Sequence, residues 1–271
     1  MNSEECLLQL KDWFINNTKG NVFIALSGGV DSAIVAFAAK KSIGEKAIAI
    51  TANYKTLALF ELEDAKRVAK EIGIQHIVIE YNELEDANFV KNDMQRCYYC
   101  RKSLGEHIKT YVKRYQVTDI IDGTHLDDIN DYRPGMKALR EHKIKSPLLE
   151  KRIGKKEIRE IAKKYNISVA NKPSNSCLAS RIPYGNYITH EKLKKIENSE
   201  EKVKELFNIS HVRVRDHGDI ARIEIGRDEM EKMFDMRKLN QLDTELKSIG
   251  FKYVSLDLYG YRSGKLTVIN D

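Results

Sequence analysis

The stretch VFIALSGGVDSAIVAFAAKK, residues 22–41, constrains the fold more than any other part of the chain. The run VFIAL is short and fully apolar, which is typical of a buried strand, and the alanine-rich segment from residue 31 is typical of a helix. The turn SGGVDS joins them, so the chain must pass sharply from strand to helix. Parallel α/β sheets are built from such strand–helix units.

The same alternation continues through the first ~180 residues. After a helix predicted over residues 4–15, the pattern predicts strands at 22–26, 46–52, 75–80 and 118–123, and helices at 31–41, 59–72, 104–115 and from 155. Four strand-then-helix units in sequence indicate an α/β domain with a parallel sheet. We expect this domain to span residues 1–183.

The pattern changes after Pro183. A long charged helix is predicted at 190–207, followed by alternating strands at 211–217 and 219–226, helical segments between 228 and 249, and a last strand at 252–260. The two alternating strands are separated by little more than Gly218, which predicts a β-hairpin. Residues 184–271 should therefore form a small α+β domain, which we expect to contribute to substrate binding.

The turn at residues 27–32 has the chemistry of a phosphate site. Gly28 and Gly29 allow the backbone to approach an anion closely, and the free N–H groups of the following helix favour negative charge. Ser27 and Ser32 add hydroxyl donors. Asp31 suits a phosphate site only if Mg²⁺ bridges the two, so we assign it to the metal.

A second loop is expected at the same edge of the sheet. Gly123 follows the fourth strand, and Asp127 and Asp128 lie shortly after it. Ligands of doubly wound sheets bind at the carboxyl ends of the strands. We therefore expect the first and fourth strands to share one nucleotide, with the two aspartates serving Mg²⁺ or a ribose.

Charge and composition narrow the class of protein. The formal net charge is +6, and residues 151–172 alone carry that excess, which fits either a solvated helix face or a surface that attracts phosphates. No apolar run approaches the ~20 residues of a membrane span. The polar start and the four sparse cysteines indicate a cytoplasmic protein rather than a secreted one.

The cysteines divide into one buried and three reactive residues. Cys6 lies in an apolar helical stripe, whereas Cys97 and Cys100 form a C-x-x-C pair and Cys177 has polar, turn-forming neighbours. Three thiolates are able to hold a [4Fe–4S] cluster with one iron open to another ligand. Structural zinc with His107 or His125 as fourth ligand, and a redox dithiol, remain alternatives, and the residue types favour the cluster.

Eight segments together resemble one known family, the LarE family of PP-loop ATP pyrophosphatases. They are SGGVDS, RCYYCRKSL, DGTHLDDINDYRPG, KSPLLE, NKPSNSCLASRIPYG, HVRVRDHG, ARIEIG and LDLYGYRSG. The resemblance implies an ATP-dependent sulfurtransferase. Such an enzyme adenylylates a carboxylate of pyridinium-3,5-biscarboxylic acid mononucleotide and replaces oxygen by sulfur, in the biosynthesis of the nickel-pincer nucleotide.

The resemblance also implies roles for individual residues. Members with all three reactive cysteines hold a [4Fe–4S] cluster, so the metal ligands would be Cys97, Cys100 and Cys177. The candidate catalytic residues are Cys177 and Asp31. The nucleotide-binding candidates are Ser27, Gly28, Gly29, Asp31, Ser32, Gly123 and Arg181. The substrate-binding candidates are Ser180, Arg181, Arg213, Arg215 and Glu200.

Two of these candidates also rest on strand geometry. Arg213 and Arg215 alternate on one predicted strand and so share a face, where two guanidinium groups suit a phosphate or a carboxylate. The cofactors implied are ATP, Mg²⁺ and the [4Fe–4S] cluster. The partners implied are a small nucleotide substrate, a sulfide source and further copies of the chain, a hexamer in the family, with neither membrane nor nucleic acid.

Three other functions stay open on the sequence. The first is a cluster-dependent PP-loop tRNA thiolase, for which residues 151–172 would form the RNA track. The second is a sulfurtransferase in which Cys177 gives up its own sulfur. The third is a non-catalytic sensor that binds ATP and a metal.

Overall fold

A computed structural model describes residues 2–130 and 135–262. By its internal contacts the chain falls into two compact units. The first comprises Met1–Asp86 and Gln95–Asn175, and the second comprises Ala87–Met94 and Ser176–Asp271. The domain boundary expected at residue 183 stays a prediction. Residues 131–134 and 263–264, which belong to two of the family-like segments, lie outside the described residues.

The described residues form ten α-helices and seven β-strands. In chain order they are α1 (Ser3–Asn17), β1 (Asn21–Ala25), α2 (Val30–Ile43), β2 (Ala47–Tyr54), α3 (Leu59–Ile72), β3 (Gln75–Tyr81), α4 (Ala87–Val90), α5 (Arg96–Arg114), β4 (Val117–Ile121), α6 (Gly135–Glu141), α7 (Pro147–Glu150), α8 (Lys155–Lys164), α9 (His190–Phe207), β5 (Val212–His217), β6 (Ile220–Ile225), α10 (Met236–Ile249) and β7 (Tyr253–Leu256). In the described ranges, no helix has the length and apolar character that a membrane crossing requires.

The strands of the first unit form a parallel sheet in the order β3–β2–β1–β4. The centre of β1 is fully buried at Val22, Phe23 and Ile24, as expected for a parallel strand covered on both faces. One face packs on α2, whose alanines allow close approach, and α1 and α8 enclose the same core. The α/β class predicted from the alternating pattern is confirmed.

The strand order also fixes where a ligand can bind. From β1 the chain continues to β2 on one side, while β4 lies on the other side of β1. The loops that leave the carboxyl ends of β1 and β4 therefore diverge. The position between these two strands is the topological switch point, at which α/β sheets bind ligands.

The second unit contains a three-stranded sheet, β5–β6–β7. The hairpin expected from the alternating pattern is present: β5 and β6 pair antiparallel, and the turn between them holds Gly218 at φ +74°. The last strand, β7, pairs parallel with β6. The inward face of the sheet shares a core with α9 and α10, to which Val214, Ile223 and Leu246 belong.

Two helices begin eight residues away from their predicted start, α5 and α10. Helix α5 begins at Arg96, eight residues before the predicted start at Leu104, because the segment RCYYCRKS carries no apolar stripe to reveal it. The helical pattern expected from residue 228 divides into a 3₁₀ turn, Arg227–Met233, and α10. Asp235 caps α10, accepting hydrogen bonds from the next N–H groups.

Candidate functional site

The turn after β1 is held against helix α3. Gly28 has φ +74°, and a Cβ at this position would lie 2.4 Å from the carbonyl oxygen of Glu61. Only glycine satisfies both the left-handed conformation and this close approach. Gly29 follows as the N-cap of α2 and provides no side-chain cap, so the first N–H groups of that helix are not covered by a capping side chain.

Two serine hydroxyls close the turn on itself. The N–H of Ser27 donates to Oγ of Ser32 at 3.1 Å, and the two hydroxyl oxygens lie 3.1 Å apart. Ser32 in turn donates to the carbonyl of Gly29 at 3.0 Å. These bonds fix the curvature of the predicted phosphate loop before any anion arrives.

The loop after β4 lies directly on the start of α2. A Cβ on Gly123 would be 2.8 Å from the backbone nitrogen of Ser32 and 3.1 Å from the carbonyl carbon of Asp31. The preceding Asp122 is buried and accepts hydrogen bonds from Thr124 and from Ser146, the latter at 2.6 Å. The structure thus brings Gly123 beside Asp31 and Ser32, as expected from the shared sheet edge.

Asp31 forms an ion pair with a residue that the sequence did not single out. Both of its carboxylate oxygens lie 2.7 Å from Nζ of Lys155, the first residue of α8. The backbone N–H of Lys155 donates to Asp127 at 2.7 Å. His125 lies between carboxylates, with Nε2 3.8 Å from Asp31 and 3.5 Å from Asp128. Acidic and basic groups therefore alternate around the start of α2.

A second lysine lies on the opposite flank of the loop. Nζ of Lys172 lies 2.9 Å from the carbonyl oxygen of Gly28, 2.6 Å from Glu61 and 2.5 Å from Asp64. The other carboxylate oxygen of Glu61 accepts from Asn175 at 2.6 Å. This cluster belongs entirely to the first unit.

Cys97 and Cys100 lie in the first turn of α5, where a spacing of three residues puts both thiols on one side of the helix. Both are half-buried, and neither forms a disulfide. Burial lowers the pKa of the Arg101 guanidinium, but the groups near it outweigh burial and raise that pKa. These groups are Tyr54, Cys100, Asp122 and Cys97. The C-x-x-C pair therefore belongs to the same electrostatic neighbourhood as the end of β4.

The two histidines considered as a fourth zinc ligand are engaged elsewhere. The ring of His107 packs between those of Tyr81 and Tyr111, at 5.5 and 5.7 Å between centroids. His125 contacts the carboxylates near α2, as described above. Among residues 2–130 and 135–262, no three His, Cys, Asp or Glu side chains are grouped closely enough to hold a metal ion.

In the second unit, a buried arginine organises the backbone around Cys177. Cys177 is free and half-buried and precedes a short 3₁₀ turn, Leu178–Arg181. The side chain of Arg181 is fully buried, and its Nη1 donates to the carbonyls of Ser176 and Cys177 at 2.5 and 3.1 Å. The same nitrogen contacts the Ser180 hydroxyl at 3.1 Å.

Glu200, from α9, is the counter-ion of Arg181. Its two oxygens accept from Nε and Nη2 of Arg181 at 2.8 and 3.1 Å, and one also accepts from the N–H of Val214 at 3.1 Å. Burial raises the pKa of the Glu200 carboxyl, but the Arg181 guanidinium and the hydrogen bonds outweigh it and lower that pKa. Glu200 is thus held as a carboxylate.

Arg213 and Arg215 share one face of β5, as their alternation predicted. Burial and the nearby Arg181 lower the pKa of Arg213 to about 10. Arg215 donates to Glu224 at 2.8 and 3.0 Å and to the carbonyl of Ser180 at 2.6 Å. The five substrate-binding candidates therefore lie in one charged cluster with Glu224.

The chain is similar to a known family and to several known proteins. The model of the asparagine synthase family matches residues 17–98, which contain the phosphate loop. A protein of Synechocystis sp., slr1717, is 40% identical over 243 residues, 90% of each chain. The pyridinium-3,5-bisthiocarboxylic acid mononucleotide synthase of Lactiplantibacillus plantarum is 32% identical over 249 residues, covering 90% of this chain and 88% of that protein.

A more distant relative is the tRNA-specific 2-thiouridylase MnmA of Rickettsia canadensis, 27% identical over 76% of this chain and 65% of that protein. The likeness to the mononucleotide synthase is stronger and extends through both units of the structure. On that likeness, and on a phosphate loop formed at the switch point of a parallel sheet, the chain belongs to the LarE family of PP-loop proteins, the family of pyridinium-3,5-bisthiocarboxylic acid mononucleotide synthase.

Proposed function

We propose that this protein is an ATP-dependent sulfurtransferase that acts on pyridinium-3,5-biscarboxylic acid mononucleotide and converts its carboxylates to thiocarboxylates. The observation that carries the proposal is the 32% identity to the mononucleotide synthase over nearly the whole chain. The geometry of the phosphate loop supports it, as do the three cysteines outside disulfides, Cys97, Cys100 and Cys177.

In the first step, ATP binds with its phosphates over the start of α2. The helix N-terminus and the glycine backbone supply donors, and Mg²⁺ would bind Asp31 together with the phosphates. Mg²⁺ uses one or two carboxylates plus substrate oxygens, so Asp31 suits it without a larger acidic group. Asp31 would hold the metal, and its ion pair with Lys155 at 2.7 Å keeps a cation beside that carboxylate.

The chemistry of this step is an adenylylation. A substrate carboxylate oxygen attacks the α-phosphorus, the bond from that phosphorus to the bridging oxygen breaks, and pyrophosphate leaves with its negative charge. The product is an acyl-adenylate, in which AMP is a good leaving group. Lys155, the cation beside Asp31, would stabilise the charge that develops on the departing pyrophosphate.

In the second step, a sulfur nucleophile adds to the acyl carbon, and the bond from carbon to the AMP oxygen breaks. Hydrosulfide supplies the sulfur and releases one proton, AMP takes the electron pair of the broken bond, and a thiocarboxylate remains. Repetition at the second carboxylate gives the dithio product. The sulfide source is a partner that the proposal requires.

Cys97, Cys100 and Cys177 would hold the [4Fe–4S] cluster, which when bound supplies an iron on which exogenous sulfide is carried. Their thiols are of the right type, and none of them forms a disulfide. No group of three or more His, Cys, Asp or Glu side chains that could hold a metal ion is assembled among the described residues. A Cys177 that gives up its own sulfur is the alternative within the same reaction.

For the mononucleotide, the charged cluster of the second unit offers complementary groups. Arg213 and Arg215 lie on one strand face, and Arg181 holds the backbone of Ser180 and Cys177. Guanidinium groups bind phosphates and carboxylates in a planar, directional way. We propose that this face binds the phosphate or the second carboxylate of the substrate.

The tRNA-thiolase alternative draws on the basic segment at residues 151–172. Four of its basic side chains are engaged within the chain: Lys155 with Asp31, Arg159 with the carbonyls of residues 170 and 172, Lys164 with Glu4, and Lys172 with Glu61. Because of these contacts, the four side chains are not available to neutralise the backbone phosphates of an RNA. They favour the small-molecule substrate.

The test is anaerobic incubation of the protein with Mg²⁺, ATP, sulfide and pyridinium-3,5-biscarboxylic acid mononucleotide. AMP and pyrophosphate should form only when the mononucleotide is present, and the product should have oxygen replaced by sulfur in its mass spectrum. Turnover with tRNA but not with the mononucleotide would favour the thiolase. ATP binding without pyrophosphate release under either condition would favour a sensor.

Iron and acid-labile sulfide assays on anaerobically purified protein separate the two sources of sulfur. The cluster predicts about four of each per chain, lost in Cys97→Ala, Cys100→Ala and Cys177→Ala. A sacrificial Cys177 predicts no sulfide, and the mass of the protein falls by one H₂S after a single turnover.

A further inference from the structure

We propose that Lys172 is a positioning residue for the phosphate loop, and that it fixes the orientation of the peptide between Gly28 and Gly29. The inference rests on the proposed ATP site and adds a residue to it. Lys172 lies 144 residues from Gly28 in sequence, yet its Nζ is 2.9 Å from the carbonyl oxygen of Gly28.

The backbone alone does not set the orientation of this peptide. Both flanking residues are glycine, the residue type whose φ and ψ are least restricted. A peptide between two glycines is therefore able to flip unless something outside the loop holds it. The Lys172 ammonium group is a donor at hydrogen-bond distance from its oxygen.

By holding the carbonyl oxygen of Gly28, Lys172 also sets the direction in which the N–H of Gly29 points. In a trans peptide the C=O and the next N–H point in opposite directions. When Lys172 holds the Gly28 oxygen on the side of α3, the N–H of Gly29 must point to the other side of the loop. That N–H lies at the N-cap of α2, where an anionic ligand is stabilised by the helix dipole.

The charge of Lys172 is compensated locally and is not available to a phosphate. Glu61 and Asp64 lie 2.6 and 2.5 Å from its Nζ, and the three side chains are only 14, 9 and 15% exposed. Asn175 holds the second oxygen of Glu61. The role that remains for Lys172 is to hold the carbonyl oxygen of Gly28 in place.

The backbone of Lys172 is itself anchored. Its N–H donates to the carbonyl of Val169 at 3.0 Å, and its carbonyl accepts from Arg159 of α8, also at 3.0 Å. The side chain therefore extends from a fixed point, so its reach to Gly28 constrains the loop.

The test measures binding of Mg²⁺ with α,β-methylene-ATP by titration calorimetry, and of adenosine as a ligand without phosphates. Lys172→Met should weaken the ATP analogue by about tenfold, the cost of one misdirected hydrogen bond to a charged group, and leave adenosine binding unchanged. Lys164→Met, in the same basic segment but paired with Glu4 at the surface, is the matched control and should bind both ligands as the wild type does.

A second variant separates position from charge. Glu61→Gln combined with Lys172→Met removes Lys172 together with one of its two carboxylate partners, yet it still lacks the donor to Gly28. The other partner, Asp64, keeps its ion pair with Arg67 at 2.6 Å, so no carboxylate is left without a cation. This double variant should bind the ATP analogue as weakly as Lys172→Met does. Recovery of wild-type affinity in the double variant would overturn the proposal, as would failure of both variants to fold or equal losses for adenosine. A wild type that does not bind the analogue would instead refute the proposed function.

Discussion

Replacing Glu200 by glutamine should destabilise the second unit strongly. Glu200 is 3% exposed and accepts three hydrogen bonds, two from Arg181 and one from the N–H of Val214. Glutamine has nearly the same shape, but it is neutral, and its NH₂ group would face donors rather than accept from them. Arg181 would then be a buried cation without its carboxylate.

The magnitude follows from the burial of the pair. Removing one partner of a buried ion pair costs about 3–5 kcal/mol, because the remaining charge keeps its desolvation penalty. The loss should reach the Cys177 segment as well, since the same guanidinium holds the carbonyls of Ser176 and Cys177. We expect lower free energy of unfolding and lower activity together.

The assay is urea denaturation followed by far-ultraviolet circular dichroism at pH 7. Glu201→Gln is the matched control, because Glu201 is the next residue on α9 and is exposed. It should leave the unfolding midpoint unchanged. A Glu200→Gln protein whose midpoint equals that of Glu201→Gln would refute the reasoning, because the buried pair would then contribute nothing to stability.

Three further predictions concern the loop and the pH dependence of stability. Gly28→Ala should abolish binding of the ATP analogue in calorimetry and lower the melting temperature, because the new Cβ would meet the Glu61 carbonyl oxygen at 2.4 Å; unchanged binding would contradict the loop geometry. Asp31→Asn should reduce pyrophosphate release by about 100-fold or more at saturating Mg²⁺, as expected when charge stabilisation is lost; a rate within twofold or so of wild type would remove Asp31 from the reaction. Burial raises the pKa of Glu229, but hydrogen bonds, led by the one from Lys232, outweigh burial and lower that pKa to about 2. The carboxylate therefore stabilises the fold fully at pH values above its ordinary pKa of 4.5. This contribution is lost as the pH falls from there through about 2. Glu229→Gln should therefore be less stable than wild type in urea at pH 7 and equal to it near pH 2, and a difference that persists at pH 2 would contradict the assignment.

Local patterns were sufficient to predict the core of the fold. The buried strand β1, its sharp turn and the alanine-rich α2 follow from residues adjacent in sequence, and the parallel sheet follows from their repetition. The start of α5 could not be predicted in this way, since residues 96–103 have no apolar periodicity. Helical structure there depends on tertiary packing that a local pattern does not contain.

Some residues of the candidate site could likewise be predicted from local patterns, and others could not. The loop residues and the alternating Arg213 and Arg215 were accessible because spacing alone places them. Lys155 and Lys172 were visible only as members of a basic segment, because their partners lie more than a hundred residues away. A lysine in a charged segment has no sequence signal that separates a solvated side chain from one that holds Asp31 or Gly28.

The central claim is that ATP drives the exchange of oxygen for sulfur on a carboxylate of the pyridinium mononucleotide. Mass spectrometry of the small molecules after anaerobic incubation with Mg²⁺, ATP and ³⁴S-labelled sulfide tests it most directly. The account predicts a product in which ³⁴S replaces carboxylate oxygen, formed with one AMP per sulfur and absent when Cys177 is replaced by alanine. Recovery of unaltered biscarboxylic mononucleotide after ATP has been consumed would contradict it.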